Sequence, residues 1–289
     1  MSALANEVTV FPRPFLKWAG GKRQLEKEIL SHLPEAIDTY FEPFLGGGAV
    51  FFALAGQKRF RRAVIGDQNP ELVTTYRAIR DDVEEVIGVL GRMKNSEEAY
   101  YATRAQKPRK PARVAARMIY LNRTGFNGLY RQNKSGGFNV PYGHYKKPRI
   151  ADPDGLRAAS AALQNVSILE GDFDAMLSEA AGGDAVYFDP PYLPLSSTSS
   201  FAEYHKLRFG VPDHIRLARL YADLQERQVC SVLSNSDTPE TRRIFGAFPH
   251  EFVQARRNIN SNGQRRGKIN ELLVFGHAFT AAEAMQKTG

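Results

Sequence analysis

Asp189-Pro190-Pro191-Tyr192 brings together a carboxylate, two rigid rings and an aromatic face, directly after the apolar run Ala185-Val186-Tyr187-Phe188. The run is short and rich in β-formers, and the prolines stop it at once, so Asp189 is expected at the carboxyl end of a buried strand. In an open α/β sheet that is where ligands bind. The four residues suit the holding of a flat ring that carries an exocyclic amine. Such an amine is a poor nucleophile, because its lone pair is delocalised into the ring. If the Asp189 carboxylate and a nearby backbone carbonyl accept its two N–H hydrogens, the nitrogen can pyramidalise and aim its lone pair at an electrophile, while Tyr192 stacks on the ring. Taken alone, the tetrapeptide also reads as a polar turn closing a core strand.

Other stretches have the makings of a nucleotide-type cofactor site. Phe15-Leu16-Lys17-Trp18-Ala19-Gly20-Gly21-Lys22 places a glycine pair ahead of a helix expected over 23–33 and ended by Pro34, which suits a charged ligand. Residues 38–43 read as a strand feeding Phe44-Leu45-Gly46-Gly47-Gly48 and a helix over 49–55, the order of a cofactor loop. The dinucleotide fingerprint needs a further glycine where Phe51 stands, which disfavours a plain NAD oxidoreductase. Asp67 closes a second strand 19 residues beyond Gly48, where an acid can bond ribose hydroxyls. It also stands close enough to the next helix to act as its cap. A strand over 165–170 ends in Gly171-Asp172-Phe173, a polar and aromatic pair suited to an adenine ring.

Between about 72 and 155 the alternation of strand and helix is lost. Residues 81–93 and 111–121 read as helices, and 122–143, rich in Gly, Asn and aromatics with intervening Arg, reads as a hairpin or exposed loop presenting polar side chains. A scaffolding loop is the plainer alternative. We expect this span to be an insertion, giving a catalytic domain of 1–71 and 156–289 and an inserted domain of 72–155. Residues 193–201, rich in Ser and Thr, are expected to form a mobile flap, with Tyr204 and His205 beyond it. A helix over 212–227 and strands over 229–233, 248–255 and 271–275 complete the chain.

The 289 residues suffice for one large domain or one domain with an insertion, and 43% hydrophobic content is that of a globular protein. Thirty-nine Lys and Arg against 31 Asp and Glu leave a net charge of +8. The basic residues cluster at 104–117 and 256–268, with no acidic residue in either run, a distribution that points to nucleic acid rather than solubility alone. The single cysteine, Cys230, excludes an internal disulfide and a Cys-clustered zinc site. No apolar run approaches a membrane span and no signal peptide is evident, so a cytoplasmic protein is expected.

With these residues assembled, the sequence resembles the Dam-type DNA adenine methyltransferases of the alpha group. The likeness runs through 15–22, 44–48, Asp67 with Asn69, 122–133, 138–145, 189–196 and 256–272, in that order. It implies a class I S-adenosylmethionine-dependent methyltransferase fold, α/β, with a Rossmann-like mixed, mainly parallel seven-stranded sheet and an inserted, mainly helical DNA-recognition domain containing a β-hairpin. It implies transfer of methyl from S-adenosylmethionine to N6 of adenine in double-stranded DNA, typically in GATC, by a monomer that needs no metal. Trp18, Lys22, Phe44, Gly46, Gly48, Asp67, Asp172, Phe173 and Asp189 would surround the donor. Asp189, Pro190, Pro191 and Tyr192 would hold the flipped adenine. Lys17, Phe126, Asn127, Leu129, Arg131, Asn133 and Tyr145 would lie in or beside the DNA, with Arg131 suited to bidentate contact with guanine. The chain departs from the pattern in Phe126, where relatives often carry Tyr, in the triple glycine 46–48, and in its flap.

Rival readings are an amino-methyltransferase for cytosine N4, RNA or protein glutamine, and a DNA-binding protein with a relic cofactor pocket. The basic insert ahead of Asp189 favours duplex DNA, and Trp18, Lys22, Asp67 and Asp189 together argue against a relic. A zinc deaminase needs paired Cys ligands that one cysteine cannot supply.

Overall fold

The computed structural model describes residues 10–18, 22–133, 136–193, 209–256 and 268–276. The expected flap over 194–201, Tyr204, His205, Gly20, Gly21 and the basic loop over 257–267 lie outside them. The chain divides into two compact units, one of residues 1–21, 46–57 and 69–164, the other of residues 22–45, 58–68 and 165–289. The span expected as an insertion falls wholly within the first unit, which also takes in residues on either side of it.

The second unit holds the sheet. Its strands among the described residues are β1 (Ile37–Glu42), β2 (Phe60–Asp67), β3 (Val166–Glu170), β4 (Ala185–Phe188), β5 (Cys230–Ser236), β6 (His250–Arg256) and β7 (Lys268–Gly276), in the spatial order β3-β2-β1-β4-β5-β7-β6. The first five in that order run parallel, and β7 runs antiparallel to both β5 and β6. Every residue of β4 and β5 is buried, as expected of central parallel strands covered on both faces. The order reverses between β1 and β4, which pair through Phe41 and Val186, so the carboxyl ends of these two strands mark the switch point where open sheets bind ligands.

The helices of this unit among the described residues are α1 (Glu26–Ser31), α8 (Phe173–Met176), α9 (Val211–Glu226) and α10 (Pro239–Phe245). Phe188, Leu217, Tyr221, Leu233, Phe245 and Leu272 share one core that fixes α9 and α10 on the sheet. Full burial of each such side chain contributes about 1.5–3 kcal/mol. The helix expected over 23–33 is instead a 3₁₀ turn, Lys22–Gln24, followed by α1, with buried Leu25 between them at φ −107°, ψ 4°.

The first unit is helical: α2 (Ala49–Gly56), α3 (Pro70–Asp81), α4 (Val83–Leu90), α5 (Glu97–Ala105), α6 (Pro111–Thr124) and α7 (Pro153–Ala162). Helices α5 and α7 have no counterpart among the elements expected from the sequence. Ser96 caps α5 by accepting from Ala99 N–H, and Asp152 caps α7 by accepting from Gly155 N–H, with Pro153 at its first position. Helix α7 runs across residue 155, the expected domain boundary. Between α6 and α7 the chain forms an irregular hairpin, with antiparallel bridges at Gly125–Tyr142 and Gln132–Phe138. Among the described residues no helix is long and apolar enough to cross a membrane.

Candidate active site

Strand β4 delivers Asp189 to the carboxyl edge of the sheet, and the parallel pairing of Phe188 with Leu233 sets Ser234 of β5 beside it. Ser234 Oγ donates to Asp189 Oδ1 at 3.3 Å, and Lys22 Nζ lies 2.8 Å from the same oxygen. The bonds to the Asp189 side chain found among the described residues thus converge on Oδ1, and a quarter of that side chain is exposed. Burial pushes the carboxyl up from the ordinary aspartate value, against the pull of Lys22 and then of Ser234. Tyr187, two residues back on the same face of β4, shares a hydrogen bond of 2.8 Å with Ser234 Oγ. Pro190 is buried and Pro191 exposed. Tyr192 donates from its hydroxyl to Glu271 Oε2 at 2.8 Å, and Lys22 Nζ sits 4.4 Å from its ring centroid. Burial first, then the charges of Asp189 and Glu271, raise the Tyr192 phenol well above its ordinary value, so it stays a donor. Ser236 Oγ donates to the Leu193 carbonyl at 2.7 Å.

The other expected cofactor residues of this unit line the neighbouring strand ends. Asp67 closes β2, half-buried, with its carbonyl accepting from Gly171 N–H at 3.3 Å. Helix α3 is capped by Asn69, whose side chain accepts from Glu71 and Leu72 N–H, so the cap considered for Asp67 is supplied elsewhere. Asp172 caps α8 and pairs with Arg216 at 2.9 Å. The Phe173 side chain, expected beside an adenine, is a core residue, 1% exposed, packed against Phe44 at 5.4 Å and covered by the Arg216 guanidinium at 4.4 Å. Its approach to a ligand is therefore through backbone. Phe44, half-buried, also leans on Phe209 at 5.3 Å.

In the first unit Gly46 and Gly48 both take left-handed backbone, φ +48° and +66°. A Cβ at Gly46 would come within 2.8 Å of the Trp18 ring, so the glycine is required by close approach as well as by φ. Trp18 stacks on Tyr130 with ring centroids 5.2 Å apart. Tyr130 is held in turn: its hydroxyl donates to Glu71 Oε2 at 3.1 Å, and Glu71 Oε1 accepts from buried Arg117 at 2.6 Å. Burial and Glu71 raise the Tyr130 phenol.

The residues expected at DNA form a framework in the same unit. Asn122 at the end of α6 accepts from Lys17 N–H at 2.8 Å and donates to the carbonyls of Lys17 and Gly128, at 2.7 and 3.0 Å. Asn127 has φ +55°, and its N–H donates to the Tyr145 hydroxyl at 3.0 Å, while Lys17 Nζ lies 5.4 Å from the Tyr145 ring centroid. Phe126 projects at 49% exposure, and Leu129 is half-buried. Arg131 donates from Nε and Nη2 to the side chain and carbonyl of Asn139. Asn133 accepts from Gly137 N–H and so builds the hairpin turn.

Sequence reasoning missed Glu271, Ser234, Asn122 and Tyr130 as members of these clusters. For Asn122 and Tyr130 the signal was their place inside the Gly-Asn-aromatic stretch. For Ser234 and Glu271 it lay in strand order alone. Among the described residues no cluster of three or more His, Cys, Asp or Glu could hold a metal ion.

Residues 18–259 match the family of D12 class N6 adenine-specific DNA methyltransferases. The chain is 43% identical over 275 residues to the Type II methyltransferase M1.LlaDCHI of Lactococcus lactis subsp. cremoris, covering 92% of this chain and 95% of that one. It is 40% identical over 286 residues to the Type II methyltransferase M.MjaIII of Methanocaldococcus jannaschii, covering 92% and 99%. To a DNA adenine methylase of Escherichia coli the identity is 38% over 269 residues, covering 91% and 95%.

Proposed function

The chain belongs to the family of D12 class N6 adenine-specific DNA methyltransferases, and we propose that it methylates adenine within GATC in duplex DNA, with the target base flipped out of the stack into the site formed by Asp189 and Tyr192. Its seven-stranded, mostly parallel sheet is that of a class I S-adenosylmethionine-dependent methyltransferase. The observation that supports this reading most is the placement of Asp189 at the carboxyl end of β4, a quarter exposed, with Lys22 and Ser234 both on Oδ1 among the described residues, an arrangement suited to accepting an N–H from the exocyclic amine.

S-adenosylmethionine, the donor this family implies, supplies a methyl group already activated on sulfur. The residues fit such a ligand: Asp67 presents a carboxylate at the end of β2, and Asp189 and Glu271 together outnumber Lys22 in charge, which suits a cation. The chain's own work is positioning. Tyr192 stacks on the base, Asp189 accepts from N6 and the carbonyl of Pro190 takes the other hydrogen, so that the lone pair of N6 points outward. With the donor bound, N6 so oriented would take its methyl group, the electron pair of the C–S bond staying on sulfur and one N6 proton passing to solvent. Orientation of this kind is worth several kcal/mol of a barrier. Flipping costs about a few kcal/mol, repaid by stacking and by these hydrogen bonds. The GATC assignment rests on the resemblance of 122–133 and 138–145 to Dam-type enzymes.

Unmethylated plasmid incubated with the protein and S-adenosylmethionine should become resistant to a nuclease that cuts only unmethylated GATC and sensitive to one that needs the methylated adenine. Methyl label entering DNA without either change would discard GATC and keep the chemistry. No label entering DNA would discard the proposal.

A further inference from the structure

We propose that Glu271 is a positioning residue for methyl transfer, fixing the far end of the Tyr192 ring and the ammonium of Lys22 around Asp189. This rests on the reading of Asp189 and Tyr192 as the adenine site. Strand β7 runs antiparallel to β5, and the pairing of Glu271 with Ser236 brings Glu271 to the end of the sheet where β4 delivers Asp189. Its side chain is 13% exposed. The Tyr192 hydroxyl donates to Oε2 at 2.8 Å, Lys22 Nζ lies 4.0 Å from the same oxygen and 2.8 Å from Asp189 Oδ1, and the ammonium also stands over the Tyr192 ring. Four side chains thus close a circuit, Asp189 to Lys22 to Glu271 to Tyr192, which returns to Asp189 through three peptide bonds.

The circuit has two physical consequences. The hydroxyl oxygen of a tyrosine lies on the χ2 axis, so a bond to it fixes where the far end of the ring lies, and with it where a stacked base sits, rather than the turn of the ring about that axis. Glu271 supplies that hold. Lys22 is also placed between two carboxylates, so Asp189 does not neutralise it alone, and these three charged side chains together carry an excess of one negative charge. That excess favours a cationic sulfonium over a neutral ligand.

The test is a set of variants, Glu271→Ala, Glu271→Gln, Tyr192→Phe and the double variant Glu271→Ala/Tyr192→Phe, in the full chain. It measures single-turnover methyl transfer to a duplex carrying the target adenine, S-adenosylmethionine affinity, and the fluorescence of 2-aminopurine placed at the target base. Removing the hold should slow single-turnover transfer about 10- to 100-fold in Glu271→Ala and in Tyr192→Phe. The double variant should be no slower than Glu271→Ala, because both changes break one bond. Glu271→Gln, which keeps an acceptor for the hydroxyl and loses the charge, should weaken donor affinity more than it slows transfer. Transfer by Glu271→Ala within twofold of the unmodified chain, or losses that multiply in the double variant, would overturn the proposal. If Glu271→Ala does not fold, Tyr192→Phe decides it: transfer within twofold of the unmodified chain overturns the proposal. An unmodified chain that methylates no DNA overturns the parent reading itself, an outcome distinct from the others.

Discussion

An aspartate that accepts hydrogen bonds from an aromatic amine works only while ionised, so the role proposed for Asp189 ties catalysis to its electrostatics. Burial raises its carboxyl above the ordinary 3.8, and Lys22 at 2.8 Å opposes the rise. As pH falls through the raised value the carboxylate gains a proton, becomes a donor and loses its role, so transfer should fail at higher pH than an unperturbed aspartate would allow. Replacing Lys22 by Gln removes the opposing charge, and the acid limb should then move to still higher pH. A pH profile of kcat/KM for DNA checks both, since an acid limb unmoved by Lys22→Gln would show that another group sets it. Asp189→Asn should abolish transfer at every pH while DNA binding persists. The sequence displayed Asp189 openly, because two prolines after an apolar run have few other meanings. It hid Ser234 and Glu271, which come to this end of the sheet only because β5 is laid beside β4 and β7 beside β5, an order that no local pattern encodes.

At the scale of elements, what ties Lys17 to the loop at Gly128 is one carboxamide. Asn122 uses its oxygen and both N–H groups on the backbone of Lys17 and Gly128 and is 3% exposed. Asn122→Ala leaves those groups without their partner, at a cost of about 1–3 kcal/mol for a buried polar group left unpaired. Gly128 is the second constraint, with φ +62° and no room for a Cβ, which would stand 2.6 Å from Lys17 Cδ. We expect Gly128→Ala to lower methylation of the preferred site relative to a site with one base changed, while affinity for random duplex stays the same. Unchanged preference would mean that the loop reads nothing. The hairpin itself was legible in its Gly and Asn content, and α3 in the Asn69-Pro70 start. Helix α5 was not, because Tyr100 and Thr103 are its only buried positions and give no apolar periodicity. Helix α7 carried the start signal Asp152-Pro153 but its alanine-rich body offers little contrast between faces.

Across the whole molecule the charge is +8, and an enzyme that must find a short site on a long polyanion gains most of its non-specific affinity from such an excess. Each phosphate neutralised contributes about −0.9 to the slope of log affinity against log salt, so the slope counts contacts. Lys17 and Arg131 occupy the same framework but differ in what their surroundings permit. Lys17 is exposed and carries a point charge near the Tyr145 ring, which suits a phosphate. Arg131 is oriented by Asn139 through Nε and Nη2, which fixes the plane of a guanidinium whose far side still carries N–H donors. A fixed plane is what bidentate contact with a guanine edge needs. Lys17→Ala should therefore flatten the salt slope by about one unit and weaken all duplexes alike, whereas Arg131→Ala should leave the slope nearly unchanged and remove about 1–3 kcal/mol of discrimination at one base position. Titrations of preferred and single-base-changed duplexes at several salt concentrations separate the two. If Arg131→Ala instead weakens every duplex equally and flattens the slope, its guanidinium contacts backbone, and the base reading must be sought among Phe126, Asn127 and Leu129.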